Sequence, residues 1–132
     1  MRNILNLFVL IFSFSIYSQE LVFKNLFDTT MNPSVACYRI PAIVTTTNGV
    51  LIAAIDERNI SCGDLRSNRD INIVIRKSYD DGESWSVIEK IVDYSLGESA
   101  SDPSLIVDKV TDELFMFYNY LDLDTAKDVY IC

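Results

Sequence analysis

The sequence predicts an all-β fold made by radial repetition of antiparallel sheets, a β-propeller, and three observations carry that expectation. Beyond the N-terminal apolar run, alternation and β-branched residues dominate, and no stretch has convincing helical periodicity. Four strand-like runs follow one another in sequence, and then a second set begins. Glycine-bearing polar turns punctuate them. Strand spacing alone would also suit a β-sandwich.

The N-terminus precedes the fold. "MRNILNLFVLIFSFSIYSQE" has an early positive charge at Arg2, an apolar run from Ile4 to Ile16 and small residues near Ser18. That is the pattern of a secretory signal peptide over residues 1–18, leaving residues 19–132 as the mature segment. The apolar run is shorter than the roughly 20 residues of a membrane span, and no cysteine follows that could take a lipid anchor. An exported protein is expected, in the periplasm, on the cell surface or secreted, with no membrane span after signal removal.

The first strand is "RIPAIVTT", residues 39–46, and the returning strand is "VLIAAIDER", residues 50–58. Asn48-Gly49 between them is a hairpin signal, because both residue types tolerate positive φ. A polar loop, residues 59–69, leads into "DINIVIRKS", where Ile71, Ile73 and Ile75 alternate with Asn72, Val74 and Arg76. "SYDDGESW" follows, and then "WSVIEKIVD", residues 85–93, as a fourth strand. The pattern restarts after Gly97 with "PSLIVDKV", "ELFMFYNYL" and "VYIC". The chain stops at Cys132 inside an apparent strand. Two sheets cannot close a ring, so this reads as the first part of a longer protein.

Charge and composition exclude several functions. Without Arg2 there are ten basic and nineteen acidic side chains, which moves the formal charge from −8 to −9. A surface this acidic argues against nucleic acid, although a few arginines can still make one pocket positive. The absence of histidine rules out serine–histidine and cysteine–histidine nucleophile pairs and histidine metal sites in this stretch. Three cysteines, Cys37, Cys62 and Cys132, have no paired zinc spacing. An exported chain could join Cys37 to Cys62; two small buried thiols is the alternative, which the odd count slightly favours.

An up-and-down sheet alternates its connections between two edges. Arg39, the 59–69 loop and Ser101-Asp102-Pro103 at the start of the next sheet therefore share one edge. Asn48-Gly49 and "SYDDGESW" share the other. Seven residues of strand span roughly 23 Å, so the acidic cluster is expected to be a turn, far from the other charges. Asp80 can accept from backbone N–H groups, Gly82 supplies permissive dihedrals and Trp85 can bury its ring between strands. The ligand spacing of an EF-hand is absent.

On the first edge stand Arg39, Arg58, Asp64 and Asp102, with Arg66 and Arg69 nearby. Converging arginines suit a planar carboxylate, which a guanidinium fork can grip through both oxygens. A carboxylic acid beside them could donate a proton if a desolvated pocket lifted its pKa. The alternative is a solvated, charged loop surface.

"YRIPAIV" resembles the Arg-Ile-Pro motif that opens the catalytic domain of sialidases. "SYDDGESW" is similar to their Asp box, Ser-x-Asp-x-Gly-x-x-Trp, with Ser78, Asp80, Gly82 and Trp85 at the defining positions. "IDERN", "CGDL", "SNRDINIVIRKS" and "ASDPSL" follow in the family's order, so the resemblance covers about residues 25–120. It implies a six-bladed propeller, of which this chain supplies roughly the first two blades. It also implies retaining exo-sialidase activity on sialylated glycoconjugates, with no cofactor and no metal. By position Arg39 resembles the first arginine of the triad that binds the sialic acid carboxylate, and Asp64 the general acid/base. Arg58 and Asp102 resemble the residues lining the 4-hydroxyl and N-acetyl side of the sugar. Asp70 competes with Asp64, but it begins a strand. The family's tyrosine nucleophile, its glutamate partner and two further arginines belong to later blades, so Tyr118, Tyr120 and Tyr130 read as strand and core aromatics. A non-catalytic Asp-box propeller that binds glycans is the alternative function.

Overall fold

The computed structural model describes residues 22–125 and the backbone of residues 127–131. The predicted signal peptide and Cys132 lie outside the described residues. Strands β1 (Cys37–Thr45), β2 (Leu51–Arg58), β3 (Ile71–Ser78) and β4 (Glu89–Val92) form one sheet in sequence order. A second sheet holds β5 (Glu98–Val107), β6 (Leu114–Asp122) and β7 (Lys127–Ile131), also in sequence order. Every neighbouring pair is antiparallel. The all-β, up-and-down expectation holds. No helix among the described residues is long and apolar enough to cross a membrane.

Alternation explains how the sheets meet. Ile52 and Ala54 on β2 and Ile73 and Ile75 on β3 lie on one face, and they cluster with Ala100 of β5. Leu105, Met116 and Tyr118 complete that packing from the second sheet. Burying an isoleucine such as Ile73, which is fully covered, contributes about 1.5–3 kcal/mol. In the β1–β2 hairpin the Thr46 N–H donates to the Val50 carbonyl at 2.9 Å and the Gly49 N–H to the Thr46 carbonyl at 3.1 Å. Of the Asn-Gly pair only Gly49, at φ 87°, is left-handed.

Three local expectations change. The fourth strand runs only over Glu89–Val92; ahead of it the Ser86 N–H still donates to the Lys77 carbonyl at 2.8 Å, but the carbonyls there are taken by Arg76. Its Nε donates to the Ser86 carbonyl at 2.6 Å and its Nη2 to the Trp85 carbonyl at 3.1 Å. Ser101-Asp102-Pro103 does not start a strand but interrupts β5, whose earlier residues Glu98 to Ser101 already pair with β6. Cys37 and Cys62 form a disulfide with Cα atoms 5.7 Å apart, so the two-thiol alternative fails. Pairing of Cys37 with Arg58 at the end of β2 brings the following loop within reach.

Both sheets carry the same irregularity in their first strand. The β1 register breaks between Arg39 and Ala42, and the β5 register between Ser101 and Ser104. At each break a left-handed residue precedes a proline: Ile40 at φ 57° before Pro41, and Asp102 at φ 61° before Pro103. Proline has no N–H to give the ladder, so the chain bulges there. For a β-branched isoleucine such a φ is a genuine outlier. Both bulges face the edge that carries the 59–69 loop, as the contacts below show.

Candidate active site

Arg58 ends β2 with its side chain 1% exposed, so its charge requires partners. Nη2 donates to Asp56 Oδ2 at 2.8 Å. Nη1 turns to the loop and donates to Asp64 Oδ1 at 2.7 Å, to the Gly63 carbonyl at 2.8 Å and to the Cys62 carbonyl at 3.1 Å. Arg39, on the β1 bulge, reaches the same place: its Nη1 donates to the Cys62 carbonyl at 3.1 Å and stands 3.5 Å from Asp64 Oδ1. Two arginines from different strands thus clamp one loop segment. That segment is fixed further by the disulfide two residues before Asp64 and by the buried Asn68, whose Nδ2 donates to the Ser61 carbonyl at 2.7 Å. A single 3-10 turn, Leu65–Ser67, follows Asp64.

Asp64 itself is open to solvent, its side chain 78% exposed. The hydrogen bond and charge of Arg58, helped by Arg39, hold its carboxyl below the usual carboxylate range. The desolvated, raised carboxyl that a proton donor needs is therefore not the state of this structure, because the loop leaves Asp64 in water beside two cations.

Behind Arg58 lies Asp56, fully buried. Its Oδ2 accepts from Arg58 and from Ser101 Oγ at 2.6 Å, and its Oδ1 accepts from the Asp102 N–H at 2.9 Å. Asp56 therefore bridges the two sheets. Burial pushes its carboxyl up, against the pull of Ser101 and Arg58. Asp102 Oδ2 in turn accepts from Asn119 Nδ2 at 2.9 Å.

Arg39, Asp64, Ser101 and Asp102 line a cavity of about 460 Å³ together with Arg66, whereas the buried Arg58 and Asp56 stand behind Asp64 and Asp102 and do not line it. The predicted edge is thus assembled, and Arg66 joins it. Arg69 does not line the cavity; it pairs with Asp124 at 2.8 Å. Asp70 does not line it either; its carbonyl and Oδ1 receive the backbone N–H and side-chain amide of Asn59, which ties down the start of β3. A separate cavity of about 400 Å³ between residues 24–27 and β1–β2 is apolar apart from Lys24 and Asn25 and holds no carboxylate.

The turn at residues 78–85 lies elsewhere, beside Leu51 at the opposite end of β2. Asp80 accepts from the Ser84 N–H at 2.8 Å, from Ser84 Oγ at 2.5 Å and from Ser78 Oγ at 2.8 Å. Those bonds lower its pKa to about 2. Trp85 does not bury its ring fully between strands. It is half-buried and donates from Nε1 to the Gly82 carbonyl at 3.2 Å.

Tyr118 packs at the sheet interface and shares a hydroxyl hydrogen bond of 2.9 Å with Tyr94. Tyr120 donates to Glu98, which pushes its phenol up to about 12. Neither lines the site cavity, and the side chain of Tyr130 is outside the described residues. Among the described residues no three His, Cys, Asp or Glu side chains are grouped to hold a metal ion.

Sequence reasoning passes over Asp56, and it places Ser101 on this edge without giving it a role. The available signal was an aspartate two positions before Arg58, on the same strand face, in an otherwise apolar run.

No family model matches the chain. In sequence it is similar to the anhydrosialidase of the leech Macrobdella decora, 36% identical over a match covering 61% of this chain and 13% of that protein. It is 34% identical to a sialidase of Micromonospora viridifaciens, over 63% of this chain and 13% of the relative. The chain thus spans about an eighth of the length of these curated relatives. Its fold matches the leech intramolecular trans-sialidase solved with 2,7-anhydro-Neu5Ac, with a TM-score of 0.68, 26% identity, and coverage of 77% of this chain and 18% of that one.

Proposed function

We propose, from its similarity to sialidases, that this chain is the N-terminal part of an exported exo-sialidase that cleaves terminal sialic acid from glycoconjugates with retention. The observation that carries this reading is the convergence of Arg39, Asp64 and the Ser101–Asp102 bulge on one cavity, with Arg58 holding Asp64 from behind. Arg39 binds the sugar carboxylate through its guanidinium. Asp102 lines the side of the 4-hydroxyl and N-acetyl groups, and Arg58, assigned to the same side, acts from behind it through Asp64 and Asp56. Asp64 protonates the leaving oxygen and later activates water.

The ionised state of Asp64 in this structure fits that role only if substrate changes its surroundings. A sialic acid carboxylate competing for Arg39 draws away one cation and adds a negative charge, and both raise the Asp64 pKa. Bound substrate also removes water from around it. The nucleophile is a tyrosine of a later blade, as in the family. Ser78, Asp80, Gly82 and Trp85 form the Asp box, whose role here is structural. The disulfide suits an oxidising compartment.

A second reading is favoured by the likeness to solved intramolecular trans-sialidases, the leech protein among them: intramolecular transfer that releases 2,7-anhydro-sialic acid. Incubating the full-length protein with 3′-sialyllactose and separating the products distinguishes the readings. Free sialic acid supports hydrolysis, and the 2,7-anhydro sugar supports intramolecular transfer. Glycan binding without release of either would replace both with a non-catalytic binding module.

A further inference from the structure

Asp56 is a buried ionisable group that the mechanism above does not use. It lies on β2, with no solvent exposure. One oxygen receives Arg58 Nη2 at 2.8 Å and Ser101 Oγ at 2.6 Å, and the other receives the Asp102 N–H at 2.9 Å. Its partners therefore belong to both sheets, and two of them, Arg58 and Asp102, are the groups assigned to the same side of the sugar.

We infer that Asp56 is a positioning residue that sets the spacing between Arg58 and Asp102, and through them the recognition of the sugar's 4-hydroxyl side; this rests on the sialidase reading.

Two physical features support the assignment. A guanidinium buried to 1% exposure has few ways to turn once Nη2 is held by a carboxylate, so Nη1 is aimed at Asp64, which lines the cavity. Asp102 holds an unfavourable left-handed φ of 61°, and a strained backbone persists only where its surroundings enforce it. The Asp102 N–H bond to Asp56, with Ser101 beside it, is such an enforcement. Asn119 fixes the other end of Asp102 through its carboxylate. Asparagine at position 56 keeps the size but has a single acceptor oxygen. It cannot serve both the Arg58–Ser101 pair and the Asp102 N–H, and its own NH₂ would face donors.

The test uses the full-length protein with an activated aryl sialoside and its 4-deoxy analogue. The unsubstituted protein should favour the hydroxyl-bearing substrate in kcat/KM by roughly tenfold or more, and Asp56→Asn should bring that preference within about threefold. The loss should appear mainly in KM, with kcat on the activated substrate little changed. A folded Asp56→Asn protein that loses activity equally on both substrates overturns the inference, since a merely structural residue would act that way. If Asp56→Asn does not fold, Ser101→Ala removes one of the bridging contacts and leaves the carboxylate in place. It should lower the preference roughly threefold, and an unchanged preference overturns the inference. If the unsubstituted protein cleaves neither sialoside, the sialidase reading falls and takes this inference with it. An active enzyme with an insensitive ratio removes the inference alone.

Discussion

Arg39 and Arg58 contact the same loop carboxylate, yet their surroundings give them different work. Arg58 is buried and fully committed to Asp56, Asp64 and two carbonyls. Arg39 keeps 45% of its side chain exposed, and among the described residues only its Nη1 is engaged. It is the arginine able to accept an incoming carboxylate. Arg39→Ala should raise KM for sialosides by roughly 10- to 100-fold, from the loss of about 1.5–3 kcal/mol for a charge-assisted contact. The melting temperature should barely move, because an exposed ion pair contributes little. Steady-state kinetics beside a thermal melt would check both halves; a KM unchanged from the parent protein would remove Arg39 from carboxylate binding. Asp64 adds a pH signature. Its carboxyl is lowered in the free protein by Arg58 and Arg39, and a bound carboxylate raises it. The high-pH limb of kcat, which reports the complex, should therefore lie above that of kcat/KM, which reports the free enzyme. Coincident limbs would contradict the substrate-driven shift.

Two elements set the division between the active edge and the far edge. The 59–69 loop is held by the Cys37–Cys62 disulfide, which places one cysteine two residues before Arg39 and the other two before Asp64. Cys62→Ser should lower stability by about 2–4 kcal/mol and raise KM, because Asp64 and Arg39 lose their common tether. Chemical denaturation and kinetics on the purified variant measure the two effects. Loss of stability with unchanged KM would leave the arginine clamp alone responsible for the loop. The 78–85 turn behaves differently. Asp80 has its pKa lowered from 3.8 to about 2 by Ser84 and Ser78. Its contribution is present above the unfolded value and disappears as pH falls through the folded one. The melting temperature of the parent protein should therefore drop between pH 3.8 and about 2, and the Asp80→Asn curve should be lower at neutral pH and flatter across that window. The two curves meet at the acid end. Since the turn is on the far edge, kcat of the folded variant should stay close to the parent value. A kcat loss at unchanged stability would return this turn to the catalytic candidates.

At the scale of the whole molecule, sequence pattern carried the strands that are buried by alternation. β2 and β3 fall within a residue of their expected bounds, because their apolar period and a glycine turn agree. Connection alternation also placed the two charged regions at opposite ends of the sheet without any contact information. What stayed illegible depended on single side chains reaching across the fold. Arg76 shortens the fourth strand by hydrogen bonding to carbonyls, which no periodicity registers. The prolines at positions 41 and 103 were visible, but a left-handed isoleucine before one of them contradicts residue preference. Pairing among three cysteines cannot be read from their number, and Asp56 was overlooked because aspartate is so rarely buried. The grouping of Arg39, Asp64 and Asp102 at the cavity was legible because the loop and both bulges share one edge. The central claim is that this edge does acid catalysis through Asp64. Its most direct test compares Asp64→Ala with the parent protein on 3′-sialyllactose and on an aryl sialoside whose leaving group needs no protonation. Cleavage of sialyllactose should fall by roughly 10²–10⁴ while the aryl sialoside loses far less, whereas an equal loss on both substrates would contradict the account and make Asp70 the next residue to replace.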